Sequence, residues 1–170
     1  MRLLILVSLA LAIPLSVAGC SDDTTAGSAC YDYASFNGMS PAVSFKTDVL
    51  PVFQTSCGLS ASCHGTPMNS LPGQPYFGPP NSAGPASASD IDAIRAEIID
   101  VNATKESGMK IVAPGDPANS FVMHKIDNTL GCDALSCGGN CGQSMPPGAP
   151  LTETQRDAIR RWIAQGAKND

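Results

Sequence analysis

His64 directly follows Cys63 in the stretch C-G-L-S-A-S-C-H-G, which begins at Cys57. Two thiols and an imidazole at this range can hold a haem, the cysteines through thioether bonds and the histidine as an axial ligand of the iron. The spacing that does this most directly is C-x-x-C-H, whereas five residues separate Cys57 from Cys63. Three outcomes are open: both cysteines attach a haem through a looped-out backbone, Cys63 alone attaches it, or no haem is held and Cys57 enters a disulfide. A haem iron also needs a second axial donor. Met145, in S-M-P-P-G, has a soft thioether in a loop that the following prolines stiffen. His124 is the other histidine of the chain, either a rival distal ligand or a histidine satisfied in packing. A zinc site built from Cys63, His64 and the Cys132 cluster has tolerable ligand types but matches no compact zinc spacing. Met39, Met68, Met109 and Met123 read as loop or core residues. No Ser-His-Asp order or paired carboxylate points to hydrolytic chemistry, so no catalytic residue and no enzyme activity is expected.

The elements that must position these groups read as helices. Phe45 to Phe53 carries Val49, Leu50, Val52 and Phe53, with Thr47 as the expected N-cap and Pro51 near the first turn. Thr66 to Ser89 is rich in Pro and Gly and reads as a long loop. Asp90 to Val101 places Ile91, Ile94, Ile98 and Val101 on one face. Asp116 and Pro117 mark another start, before Phe121, Val122 and Ile126. Leu130 to Gly148 is irregular again. Thr152 and Gln155 form a capping box for a closing helix with Ile159, Trp162 and Ile163 buried, Arg156, Arg160 and Arg161 toward solvent, and Gly166 as its stop. No strand alternation of useful length appears, and the expected fold is all-α with long Gly/Pro-rich loops.

Composition bounds the rest. Arg2 and the apolar run Leu3 to Ala18 read as a secretory leader over residues 1–19. Val17-Ala18-Gly19-Cys20 resembles a lipobox, which makes Cys20 the expected lipidated N-terminus. More than one acyl chain gives stable membrane anchoring without a span. Residues 20–42 then read as a flexible tether and 43–170 as one domain. Ser21 permits transfer to the outer membrane by the sorting rule of enteric bacteria, so the expected place is the bacterial cell envelope. The formal charge of −5 leaves no electrostatic footprint for nucleic acid and suits a basic partner. Aromatic content is only 5%, so crosslinks or a cofactor are expected to supplement the core. The chain has seven cysteines; with Cys20 lipidated, six remain in an oxidising compartment. Fifteen pairings are possible if all six form disulfides, and three if Cys57 and Cys63 hold haem and Cys30, Cys132, Cys137 and Cys141 do not.

Four blocks together resemble the class I-like cytochrome c domains of secreted bacterial proteins, particularly those of planctomycetes and myxobacteria. They are Phe45 to Phe53, Cys63-His64-Gly65, Val112 to Ile126, and Met145 to Ala167 with M-P-P-G and W-I-A-Q-G-A. The resemblance spans about Val43 to Ala167. It implies a small helical haem c domain in which Cys57 and Cys63 are the thioether cysteines and His64 and Met145 the proximal and distal ligands. It also implies that the helix of Trp162 packs on the first helix, and that the protein passes single electrons to a redox partner protein. The departure is Cys57. The other expectation is a haemless, disulfide-stabilised module with the same fold, acting as a binding or structural lipoprotein.

Overall fold

A computed structural model describes residues 29–67 and 73–170. The leader, Cys20, the start of the tether and Met68 lie outside the described residues. The described chain is helical, with isolated bridges in place of strands. Its first helical segment is continuous from Phe45 to Cys57. The short helix α1, Leu50–Val52, is flanked by wider π-type turns at Phe45–Val49 and Phe53–Cys57. The Leu50 N–H reaches back to the Phe45 carbonyl. That wider winding suits Pro51, which lacks an N–H and whose ring crowds the carbonyl four residues earlier. The cap is Ser44 rather than Thr47: its hydroxyl accepts the Thr47 N–H, and Asp48 accepts the Ser44 N–H at 2.8 Å. The helical winding starts at Phe45, so the residue just before it takes the cap.

Helix α2, Ala88–Ile98, is closed at its start by a capping box between Ser87 and Asp90. Ile91, Ile94 and Ile98 enter the core, whereas Val101 lies beyond the helix. Ile99 is extended and Asp100 takes a φ of 57°, which turns the chain out of the helix. It then runs beside residues 109–112 through bonds such as Ile111 N–H to Val101 C=O at 2.8 Å. Asp116 caps a single 3-10 turn, Pro117–Asn119, before α3, Phe121–Ile126.

The closing helix α4, Glu153–Ala164, has the Thr152–Gln155 capping box. Ile159, Trp162 and Ile163 are fully buried, and Gly166 turns the chain at a φ of 94°. Trp162 packs on the first helical segment, its ring 5.1 Å from Phe45 and 6.1 Å from Phe53. Its indole N–H donates to the Lys168 carbonyl at 2.8 Å, which satisfies the polar end of a buried ring.

Arg160 departs from the expected solvent face. It is 1% exposed, and its guanidinium lies 3.8 Å from the Tyr31 ring centroid and 5.3 Å from that of Phe36. Both Asp127 carboxylate oxygens accept from it, at 2.6 and 2.7 Å, and Asp157 also pairs with it. An amphipathic pattern places every arginine outside; the rings that bury this one come from residues assigned to the tether. Tyr31, Tyr33 and Phe36 pack edge to face against one another on α4. Gln165 donates to the Gly38 and Pro41 carbonyls, and the Cys30–Cys132 disulfide fixes the start of this strap. Residues 30–41 are thus packed on the domain.

Removing one partner of a buried ion pair leaves the other charged and desolvated, at about 3–5 kcal/mol. Asp127→Ala should therefore lower the urea midpoint by an amount corresponding to about 3 kcal/mol with an unchanged m-value, while Asp127→Asn, which retains one acceptor, should lose less.

Candidate functional site

The five residues between Cys57 and Cys63 fold into a closed turn. The Gly58 N–H donates to the Phe53 carbonyl at 2.7 Å, and the Ser60 carbonyl accepts from both Cys63 and Gly65. The His64 N–H then donates back to the Cys57 carbonyl at 3.1 Å. The insertion is looped out with Leu59 exposed, and the chain returns so that Cys57 and the Cys63-His64 pair are neighbours. Two glycines make this possible. A Cβ on Gly65 would sit 2.6 Å from the Gly58 carbonyl oxygen, and one on Gly58 would sit 2.3 Å from that of Gly78. The other wall is residues 74–77: Gln74 donates to the Ser62 and Cys63 carbonyls, and Phe77 N–H donates to the His64 carbonyl at 2.9 Å.

His64 Nδ1 lies 2.7 Å from the Pro75 carbonyl. A carbonyl only accepts, so Nδ1 carries the proton and the lone pair resides on Nε2. The ring stands edge to face with Phe77 at 5.1 Å. Burial holds the His64 pKa below its ordinary value despite the opposing pull of the Pro75 carbonyl, and the charge of Lys125 lowers it further. At neutral pH the imidazole is therefore neutral, the form that ligates metals.

The cysteines divide into two sets. Cys30 pairs with Cys132 and Cys137 with Cys141, whereas Cys57 and Cys63 take part in no disulfide. The outcome in which Cys57 is oxidised is thus not the one observed. Cys57 is partly accessible as a residue, but its side chain packs against the main core. Burial, with Cys63 adding to it, pushes its thiol pKa up to about 12. Cys63 Sγ lies 3.5 Å from the Ser60 hydroxyl.

Met145 is on a separate loop that α3 holds. Its N–H donates to the Lys125 carbonyl at 2.8 Å, and the Lys125 ammonium donates to the carbonyls of Cys141 and Gln143 at 2.5 and 2.9 Å. Upstream, Glu106 accepts the N–H groups of Ser136 and Cys137, which keeps its carboxyl below the usual range. Met145 itself is half-buried, and a cleft of about 460 Å³ opens between Asn128, Leu130, residues 142–144 and residues 147–148.

His124, the rival ligand, is 5% exposed with both ring nitrogens engaged: Nε2 donates to the Ala118 carbonyl and Nδ1 meets the Thr129 hydroxyl. The zinc set is dispersed, because Cys132, Cys137 and Cys141 are all in disulfides. Among the described residues no group of three or more His, Cys, Asp or Glu side chains is placed to hold a metal ion. Pro75 and Lys125 escape sequence reading: one acts through its backbone carbonyl, and the other is a lysine on a helix face like any other. No protein-family model, curated protein or solved structure matches this chain.

The thiolate is the nucleophile in alkylation. In folded protein made without haem attachment, Cys57 should react with iodoacetamide at pH 8 roughly a thousandfold more slowly than in denaturant, given the thiolate fractions at the two pKa values. Mass mapping of the alkylated peptide reads this directly; equal rates would mean that the thiol is not buried.

Proposed function

We propose that this chain is a lipid-anchored, monohaem c-type cytochrome that carries single electrons in the bacterial cell envelope, with His64 and Met145 as iron ligands. The observation that carries this reading is the His64 tautomer. The Pro75 carbonyl fixes the proton on Nδ1, and burial keeps the ring neutral, so Nε2 is a ready donor for a metal. Iron held by an imidazole and a thioether exchanges one electron with its coordination sphere filled, which suits transfer rather than oxygen chemistry.

The residues present fit the group in their chemistry. Cys57 and Cys63 remain thiols beside His64, as thioether formation requires, while the other four described cysteines are paired. The turn at 58–62 brings the cysteines to the same place despite the long spacer. Phe77 walls the imidazole and shields it from water. Met145 brings a soft sulfur on a loop tied to α3. In this reading the chain does no substrate chemistry. Its acidic surface suits a basic redox partner, and Cys20 carries the membrane anchor.

Matured in a host with cytochrome c assembly machinery, the protein should be red and should retain haem mass after denaturation. Met145→Ala should keep that mass and lose the ferric sulfur-to-iron charge-transfer band. His64→Ala should lose low-spin haem altogether. A colourless product with Cys57 and Cys63 still alkylatable would overturn the proposal in favour of a haemless binding module.

A further inference from the structure

Met145 belongs to a loop with little regular structure of its own. Residues 142–150 are in no helix, and Gly142 and Gly148 take φ values of 74° and 75°. The Cys137–Cys141 disulfide closes a small ring that ends four residues before Met145, and Glu106 grips the chain earlier still, at Ser136 and Cys137. A thioether meant to stay at one point needs an anchor closer than these.

We infer that Lys125 is the positioning residue of the Met145 loop, its ammonium holding the chain at Cys141 and Gln143 and its own carbonyl holding it at Met145. The inference rests on the reading of Met145 as an iron ligand. Nζ donates to the carbonyls of Cys141 and Gln143, so the chain between them curves around a single charged group. Two residues on, the Met145 N–H returns to the Lys125 carbonyl. The loop is thereby closed on one residue of α3 at three points. Hydrogen bonds from a charged donor are about twice as strong as neutral ones, and the one to Cys141 is partly withdrawn from water. Phe121 flanks the ammonium with its ring centroid 5.3 Å away.

Gly142 gives independent support. A Cβ there would lie 3.0 Å from Lys125 Nζ, and its φ is one that side chains rarely adopt. The loop passes so near the ammonium that a side chain at this position would have to displace it by a few tenths of an ångström, between the two bonded carbonyls. Lys125 touches neither sulfur nor imidazole in a bonding sense; it acts through the backbone.

The test uses the full chain. Lys125→Met keeps the aliphatic stem and removes the donor. Amide exchange at Gln143 to Met145 should quicken roughly tenfold or more, the loss expected for two charge-assisted bonds, with the helical circular dichroism and both disulfides retained. Lys105→Met, which removes an exposed neighbouring charge, should leave exchange as in the parent, and Lys125→Arg should restore most of the protection. In haem-loaded protein, Lys125→Met should weaken the sulfur-to-iron band while covalent haem mass is unchanged. If Lys125→Met fails to fold, Gly142→Ala attacks the same contact from the loop side and should quicken the same amides. Exchange in Lys125→Met, or in Gly142→Ala if it is used, indistinguishable from the parent would overturn the inference. Should the protein hold no haem at all, the exchange measurement still decides the role of Lys125, so the two readings fail separately.

Discussion

Trp162 packs against both Phe45 and Phe53, which also meet each other, and the rest of the core is arranged around that three-ring contact. It locks the last helix onto the first, so the two ends of a loop-rich domain close on each other. Burying a large apolar side chain stabilises by about 1.5–3 kcal/mol, and each aromatic pair adds about 0.5–1.5 kcal/mol. In a chain with 5% aromatic residues these few rings carry a large share of the core. The contact also reaches the site. Phe53 stacks edge to face on Phe77 at 4.8 Å, and Phe77 on His64 at 5.1 Å. The imidazole is the outer end of an aromatic run that begins in the closing helix.

On the opposite side of α4 the same helix buries a charge. Arg160 is held by Asp127 and Asp157 and faced by Tyr31, yet its Nε is buried with no hydrogen-bond partner among the described residues. Such a pair contributes little net stability compared with an apolar substitute. What it does supply is definition. The guanidinium can be desolvated only when the strap at 30–41 covers it, and the strap is oriented only when the rings meet the guanidinium. The Cys30–Cys132 crosslink, which spans 102 residues of sequence, secures the same strap covalently. Long loop closures of this kind constrain the unfolded chain most.

What could be read from the sequence follows from how local each feature is. The Thr152–Gln155 box, the Ile159, Trp162 and Ile163 stripe and the Gly166 stop are all decided within one helix, and all three are present. The α2 face was legible up to Ile98; Val101 was lost because the chain leaves the helix at Ile99. Arg160 was misplaced because its burial depends on rings more than a hundred residues away. The site was legible in residue types and illegible in connections. His64, Cys57, Cys63 and Met145 stand out by chemistry, whereas the Pro75 carbonyl and the two carbonyls on Lys125 are backbone groups that any residue could offer. The looped-out turn is an intermediate case: Gly58 and Gly65 flank it visibly, but only their approach to the Gly78 and Gly58 carbonyls explains why they must be glycine.

A site made of loops has to obtain its rigidity from somewhere other than regular structure, and here three kinds of constraint divide the task. Hydrogen bonds back to Phe53, Cys57 and Ser60 fold the thiol loop on itself. A small second cluster of Ala103, Met109, Phe121 and Cys137 gives the 130–141 segment an apolar floor, and the Cys137–Cys141 crosslink keeps it short. Lys125, on a six-residue helix between the two, ties the remaining loop through its main chain and its side chain at once. Packing alone holds neither loop, since both are rich in glycine and poor in large apolar groups. The abundance of Gly and Pro and the scarcity of aromatic residues are therefore two sides of one design: the elements supply a minimal aromatic core, and the chemistry-bearing loops are positioned on it by polar and covalent ties.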